Sequence, residues 1–321
     1  MEPVTITEVL AARRLLAAHL PPTPMWTYPA LNAELGATVY VKHENAQPVG
    51  AFKVRGGMTL LAGLSEADRS RGVVSFSTGN HSQSLAYAGA ALGVRCVLVM
   101  PAEANPAKVR AVRALGAEAV LHGADLAGAQ EHAEHLARTE KMHLVSPGDT
   151  RELIAGVGTL YLEIVAAVPD LDAIVVPVGS GTGAAAASVV TTALAPSCRV
   201  VAVQSAAAPA AHDSWRAGAC VTRPNLTRVE GLATGRGFDL PQRMMRSRLA
   251  DFLLVTDERI GVAQRLLASH AHTLAEGAGA AGVAALLDHR DAFAGQRVAV
   301  VCTGGNASPA ELAALGPETA G

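Results

Sequence analysis

Aromatic residues are scarce, at 3% of 321 positions, and charged side chains reach only 17%. The charges nearly cancel, leaving a formal net charge of −2. So small an excess excludes the basic footprint of a nucleic-acid binder and gives no attraction to an anionic membrane. There are four cysteines, Cys96, Cys198, Cys220 and Cys302, none in a CxxC spacing. They are expected to be buried thiols in a reducing compartment. No basic segment followed by an apolar stretch opens the chain, so no signal peptide is expected. The longest apolar run, 184–195, contains Ser188, Thr191 and Thr192 and is too short to span a bilayer. A soluble, cytoplasmic protein is the expectation. No tandem repeat, low-complexity tail or charge block breaks the chain.

What is abundant is small and apolar. Half the residues are hydrophobic and 31 are glycine. Such a composition suits tight helix–sheet packing and loops that approach a ligand closely. The length suggests two domains. Apolar runs such as Val73-Val74-Ser75-Phe76, Cys96-Val97-Leu98-Val99-Met100, Ala173-Ile174-Val175-Val176, Val200-Val201-Ala202-Val203 and Val298-Ala299-Val300-Val301 alternate with helical stretches. One such stretch begins near His81, and another runs through Val109 to Leu115. Continuous apolar strands separated by helices indicate parallel sheets covered on both faces.

Four segments carry chemistry. Lys53 follows Phe52 between Gly50 and Gly56. In a dry cleft its ammonium would be destabilised, giving the neutral amine that Schiff-base chemistry needs; a solvated loop lysine is the plain alternative. Ser77-Thr78-Gly79-Asn80-His81 joins a strand to a helix, where hydroxyls and backbone N–H groups favour a carboxylate. The alternative is an ordinary helix cap by Ser77 or Thr78. Gly179-Ser180-Gly181-Thr182-Gly183 follows a buried strand and can cradle a phosphate. Its G-x-G-x-G spacing fits neither the dinucleotide nor the P-loop fingerprint, and a tight strand–helix turn uses the same glycines. Cys302-Thr303-Gly304-Gly305-Asn306 places a hydroxyl where the last strand ends, the end at which open α/β sheets bind ligands; it also reads as a glycine turn.

In this order the four segments resemble the fold-type II pyridoxal-phosphate family, in its serine/threonine dehydratase and serine racemase branch. The resemblance runs from Thr23-Pro24 to Asn306 and includes Pro147-Gly148-Asp149, Ile154-Ala155-Gly156-Val157-Gly158-Thr159, Val229-Glu230-Gly231-Leu232-Ala233 and Ala275-Glu276-Gly277-Ala278-Gly279-Ala280-Ala281. It implies an α/β fold of two doubly wound open-sheet domains, tryptophan synthase β-like, with pyridoxal 5'-phosphate in the cleft between them. The implied large domain is 1–71 with 148–321, and the small mobile domain is 72–147. By resemblance Lys53 links covalently to the cofactor and moves the Cα proton. Gly179, Ser180, Gly181, Thr182 and Gly183 hold the phosphate. Asn80 meets the phenolic oxygen, Thr303 the pyridine nitrogen, and Phe52 and Glu276 lie near the ring. Ser77, Thr78, Gly79, Asn80 and His81 bind the substrate carboxylate. A hydroxyl such as Thr303 leaves the ring neutral, a weaker electron sink that favours expelling a β-leaving group.

The expected activity is an ammonia-lyase that eliminates water from L-threonine or L-serine, giving a 2-oxo acid and ammonia. A homodimer acting on a small amino acid is implied, with no nucleic-acid or membrane partner. Other readings are dehydration of 3-hydroxyaspartate, serine racemisation, or a cofactor-binding sensor without turnover. Thr78 stands where the racemase carries a proton-exchanging serine, so it joins Lys53 as a catalytic candidate. Ser180 and Thr182 stand where dehydratases commonly carry glycines. The racemase's metal ligands should fall near 204–210, where no carboxylate occurs, so no metal of that kind is expected. His132 and His135 lack the H-E-x-x-H pattern and read as a solvated helix face. The few residues after Asn306 leave no room for the regulatory domain of biosynthetic threonine dehydratases, so feedback inhibition is not expected.

Overall fold

The computed structural model describes residues 2–316. Among these residues ten strands form two sheets. They are β1 (Met25–Thr27), β2 (Thr38–His43), β3 (Val73–Phe76), β4 (Cys96–Met100), β5 (Glu118–Leu121), β6 (His143–Val145), β7 (Ala173–Pro177), β8 (Arg199–Ser205), β9 (Asp251–Val255) and β10 (Arg297–Cys302). The six-stranded sheet has the order β1-β2-β10-β7-β8-β9 and the four-stranded sheet β5-β4-β3-β6. Every pairing is parallel except β1 with β2. The larger sheet is therefore mixed, and β1 and β2 join it although they precede the smaller sheet in the chain.

The strand sequences explain why helices cover both faces. Along β7, Ile174 and Val176 face one core together with Ala184–Ala187 of the helix Thr182–Leu194, while Ala173 and Val175 face a second core. That second core contains residues of the helices Asp257–His270 and Gly277–Asp288. A strand buried on both sides has no polar face to show, so it reads as an unbroken apolar run. The smaller sheet repeats the arrangement. Val73 and Leu98 pack with Leu85 of the helix Asn80–Leu92, and Val74 and Val97 pack with Ala129 of the helix Leu126–Thr139.

Both sheets open a crevice at their carboxyl ends. The chain leaves β7 into a helix on one face of the large sheet and reaches neighbouring β10 from a helix on the other. Such a change of face leaves room for a ligand beyond the strand ends. The small sheet does the same around β3 and β6.

Some expectations shift in detail. The helix expected near His81 begins at Asn80, and the next begins at Pro106, with Asn105 as its cap. Cys96, Cys198 and Cys302 are buried, but Cys220 is partly exposed. His132 stacks on His122 with ring centroids 4.0 Å apart, so that face is not merely solvated. Parallel stacking does not converge ring nitrogens on one point. Among the described residues no group of three or more His, Cys, Asp or Glu is placed to hold a metal ion. Among them, too, no helix is long and apolar enough to cross a membrane.

A charged cluster lies beneath the crevice. Arg55, only 2% exposed, grips two carboxylates, donating to Glu44 Oε1 and Oε2 at 2.8 Å each and to Glu163 Oε1 and Oε2 at 2.7 and 2.9 Å. Lys42 donates to Glu163 at 2.5 Å, and Thr23 to Glu44 at 2.6 Å. Burial alone would lower the guanidinium pKa, but Glu44 and Glu163 raise it on balance. Breaking a buried pair by removing one partner is costly because the other charge is stranded. Arg55→Met is therefore expected to lose about 3–5 kcal/mol in urea unfolding of the cofactor-free chain. A loss below about 1 kcal/mol would show that the cluster does not anchor this part of the fold.

Candidate active site

The crevice holds a cavity of about 830 Å³, counting its solvent-facing mouth. Its walls include Phe52, Lys53, Ser77, Thr78, Asn80, His81, Gly179, Ser180, Gly181, Thr182, Gly183, Glu276 and Thr303. Residues scattered along most of the chain thus meet in one space. Gly79 alone among the expected site residues does not line it.

Lys53 is not a loop residue. It is the first residue of the helix Lys53–Ala62. The backbone before it is pinned to the β10 exit: Phe52 N–H donates to the Thr303 carbonyl at 3.0 Å, and Ala51 bridges Gly304. Its ammonium donates to Ser180 Oγ at 3.1 Å and Thr182 Oγ1 at 2.9 Å, and sits 5.1 Å from the Phe52 ring centroid. Among the described residues no carboxylate faces it at ion-pair distance. Burial accordingly lowers its pKa from the ordinary 10.5 to about 8. A substantial neutral fraction exists near physiological pH.

Four helices begin at this cavity: Lys53–Ala62, Asn80–Leu92, Thr182–Leu194 and Gly277–Asp288. Their caps are Phe52, Gly79, Gly181 and Glu276, and none makes a side-chain cap hydrogen bond. Several helices that begin elsewhere, capped by Thr5, Ser65, Asn105, Asp125, Thr256 and Ser308, do make one. Gly277 N–H already donates to Glu311 Oε1 at 2.5 Å, and Val54 and Arg55 N–H donate to the Ala51 and Phe52 carbonyls. The N–H groups left for a ligand are those at the starts of Asn80–Leu92 and Thr182–Leu194; with four converging positive dipole ends they suit a ligand with more than one anionic group. At Gly181 φ is +89°, a value side chains other than glycine's rarely take, and this turn aims the first N–H groups of Thr182–Leu194 at the cavity.

The remaining polar groups are oriented by neighbours. Asn80 donates to Glu276 Oε1 at 2.5 Å, and its Oδ1 accepts from Asn306 at 3.0 Å. The second amide proton of Asn80 is left for a ligand. Ser75 donates to the Val145 carbonyl, so its oxygen accepts from His81 Nε2 at 2.9 Å. That contact puts the ring proton on Nε2. Burial, then the nearby Lys53 charge, lowers the His81 pKa to about 3. His81 is therefore neutral, and its ring steadies the loop; what it can offer a carboxylate is its backbone. Ser77 Oγ accepts from Gly79 N–H at 3.0 Å and does not cap the helix. The Thr303 hydroxyl has no side-chain partner among the described residues.

Sequence reasoning passed over other wall residues: Lys108, Leu126, Thr234 and Phe238, and the side chain of Glu230. Lys108 donates to Glu230 Oε2 at 2.5 Å and lies 3.8 Å from Glu276 Oε2. Burial alone would lower its pKa, but Glu276 and Glu230 raise it on balance. Burial raises the pKa of Glu276 against the pull of Lys108 and Asn80. A lysine two residues after Pro106 looks solvated in isolation. One signal was available: only four of 26 Lys and Arg residues are lysine, and of those Lys42 and Lys108 are buried while Lys53 lines the cavity.

A family model described as pyridoxal-phosphate dependent enzyme matches residues 16–304. The chain is 35% identical to an L-threonine ammonia-lyase of Thermotoga maritima, covering 94% of this chain and 76% of the relative. It is 33% identical to an L-threo-3-hydroxyaspartate ammonia-lyase of Pseudomonas sp, covering 96% and 97%. Among solved structures it matches maize serine racemase with a TM-score of 0.92 at 26% identity, covering 97% and 96%. It matches a T.th. threonine deaminase with a TM-score of 0.88 at 33% identity, covering 94% and 98%.

The lowered pKa can be read directly. Only a neutral amine reacts with an acylating label, so labelling of Lys53 in cofactor-free protein should rise with pH and level off with a midpoint near 8. Peptide mass spectrometry measures it, with exposed Lys141 as the internal comparison. A Lys53 midpoint near 10.5 would contradict the dry environment.

Proposed function

The chain belongs to the pyridoxal-phosphate-dependent enzyme family and is a lyase related to the threonine ammonia-lyases; from its site we propose that it eliminates the β-hydroxyl of L-threonine or L-serine, yielding a 2-oxo acid and ammonia. The observation that carries this reading is the Lys53 amine lying against the hydroxyls of Ser180 and Thr182, where four helices begin.

The residues present fit the cofactor. An amine of lowered pKa lies beside a glycine turn at a helix start, as a phosphate-bearing aldehyde requires. In this reading the N–H groups of 179–183 and the hydroxyls of Ser180 and Thr182 hold the phosphate. Phe52 packs beside the ring, Thr303 offers its unpartnered hydroxyl to the ring nitrogen, and Asn80 its second amide proton to the phenolic oxygen. When bound, the cofactor supplies the electron sink that lets a proton leave Cα and the β-substituent depart. Lys53 takes that proton, since it is the amine of lowered pKa on the cavity wall. The loop 77–81 holds the substrate carboxylate at the start of Asn80–Leu92, which turns the Cα–H bond toward Lys53. Thr78, also on the wall, is the second candidate for proton exchange.

The walls favour a neutral side chain. Leu126, Pro147 and Phe238 are apolar, and apart from Lys53 the described lining has a single cation, Lys108, already matched by Glu230 at 2.5 Å. A second substrate carboxylate, as in 3-hydroxyaspartate, would meet Glu230 and Glu276 without an unmatched positive charge.

Purified protein with pyridoxal phosphate is expected to release 2-oxobutanoate and ammonia from L-threonine, and Lys53→Ala to lower turnover by about 10²–10⁴-fold or more. The value of kcat/KM for 3-hydroxyaspartate should be at least about tenfold below that for threonine, a difference near 1.4 kcal/mol. Full turnover in Lys53→Ala contradicts the mechanism, and a preference for 3-hydroxyaspartate contradicts the substrate assignment.

A further inference from the structure

Lys108 joins the two sheets across the crevice. It sits on the helix Pro106–Ala114, beyond β4 of the small sheet, and is 6% exposed. Its partners belong to the large-sheet side: Glu230 lies in the segment between β8 and β9, and Glu276 immediately precedes the helix Gly277–Asp288. Glu230, at 2.5 Å, is the hydrogen-bonded partner; Glu276, at 3.8 Å, is beyond hydrogen-bond reach and acts on Lys108 through its charge alone. The Lys108 side chain also explains Gly79. A Cβ placed on Gly79 would lie 2.4 Å from Lys108 Cδ and 3.3 Å from Nζ. The lysine stem therefore runs over the backbone of the 77–81 loop, and its head is fastened on the opposite wall. An ammonium on a long stem can do this in a narrow space; a guanidinium needs a wider planar slot. In a chain that otherwise uses arginine for nearly all its cations, lysine is used here.

We propose that Lys108 is a positioning residue: its ion pair with Glu230 spans the crevice, clamps the 77–81 loop over the cavity and thereby sets substrate affinity. The claim rests on the reading of 77–81 as the substrate carboxylate loop. Lys108 holds neither the cofactor nor the leaving hydroxyl. Its loss removes binding shared by ground state and transition state, which raises KM and leaves kcat in place. Because the two groups act as one clamp, removing either releases the loop, and removing both adds little.

The test uses the holoenzyme with Lys108→Met, Glu230→Gln and the double variant. Each single change is expected to raise KM for threonine at least about tenfold, with kcat within about threefold and the dissociation constant for pyridoxal phosphate unchanged. The double variant should match the worse single variant, and Lys108→Arg, which keeps the charge, should recover part of the KM loss. Amide hydrogen exchange of 77–81, measured without substrate, should quicken in Lys108→Met while the β7 and β10 cores stay protected. Exchange needs no turnover, so this arm stands even if threonine proves to be the wrong substrate. A fall in kcat at constant KM, additive single effects, or unchanged exchange at 77–81 overturns the proposal.

Discussion

A guanidinium buried beneath the crevice fixes where the helix that starts at Lys53 begins. Arg55 follows Lys53 by two residues and is tied by paired hydrogen bonds to Glu44 on one side and Glu163 on the other. Glu44 follows β2, and Glu163 belongs to the long helix Arg151–Ala167. The helix Lys53–Ala62 can therefore neither slide nor turn without parting a buried charge from its partners. The β10 exit completes the clamp through the bonds at Ala51 and Phe52. The amine that these contacts hold in place is itself left without a counter-charge.

That contrast between neighbouring cations underlies the proposed chemistry. Arg55 and Lys42 are buried with carboxylate partners, Arg55 against Glu44 and Glu163 and Lys42 against Glu163 and the Thr23 carbonyl. Lys53 is buried with hydroxyls only, and desolvation acts on it unopposed. The helix starts around it add positive potential, which further disfavours a cation and favours anionic ligand groups. In the proposed reading, one arrangement thus prepares a nucleophile and a pair of anion sites. Lys108 is buried and paired like Lys42, but its partners lie across the crevice, so its charge joins two walls.

Much of this was legible in the chain because it is local. Val73-Val74-Ser75-Phe76 and Ala173-Ile174-Val175-Val176 are apolar without alternation, which only a strand covered on both faces tolerates. The glycines at 179, 181 and 183 mark a turn into a helix, and the place of Lys53 between Gly50 and Gly56 marks close packing. The antiparallel strand β1 was not legible: Met25–Thr27 is three residues long, and its partners, Tyr40 to Lys42, lie beyond an intervening helix. Nor was the role of Glu44, a residue that looks solvated until Arg55 and Thr23 close around it.

By itself the sequence determined the long buried strands and the helices between them, the glycine turns that join them, and which residue types are available for amine, hydroxyl and amide chemistry. These follow from backbone preference and the period of burial, which act over a few residues. The tertiary structure alone decided that Lys53 meets Ser180 and Thr182, that His81 is turned to Ser75, and that Lys108 reaches Glu230. Those contacts join positions 6 to 129 residues apart, and their energies depend on how much water the packed sheets exclude, a quantity no single segment carries.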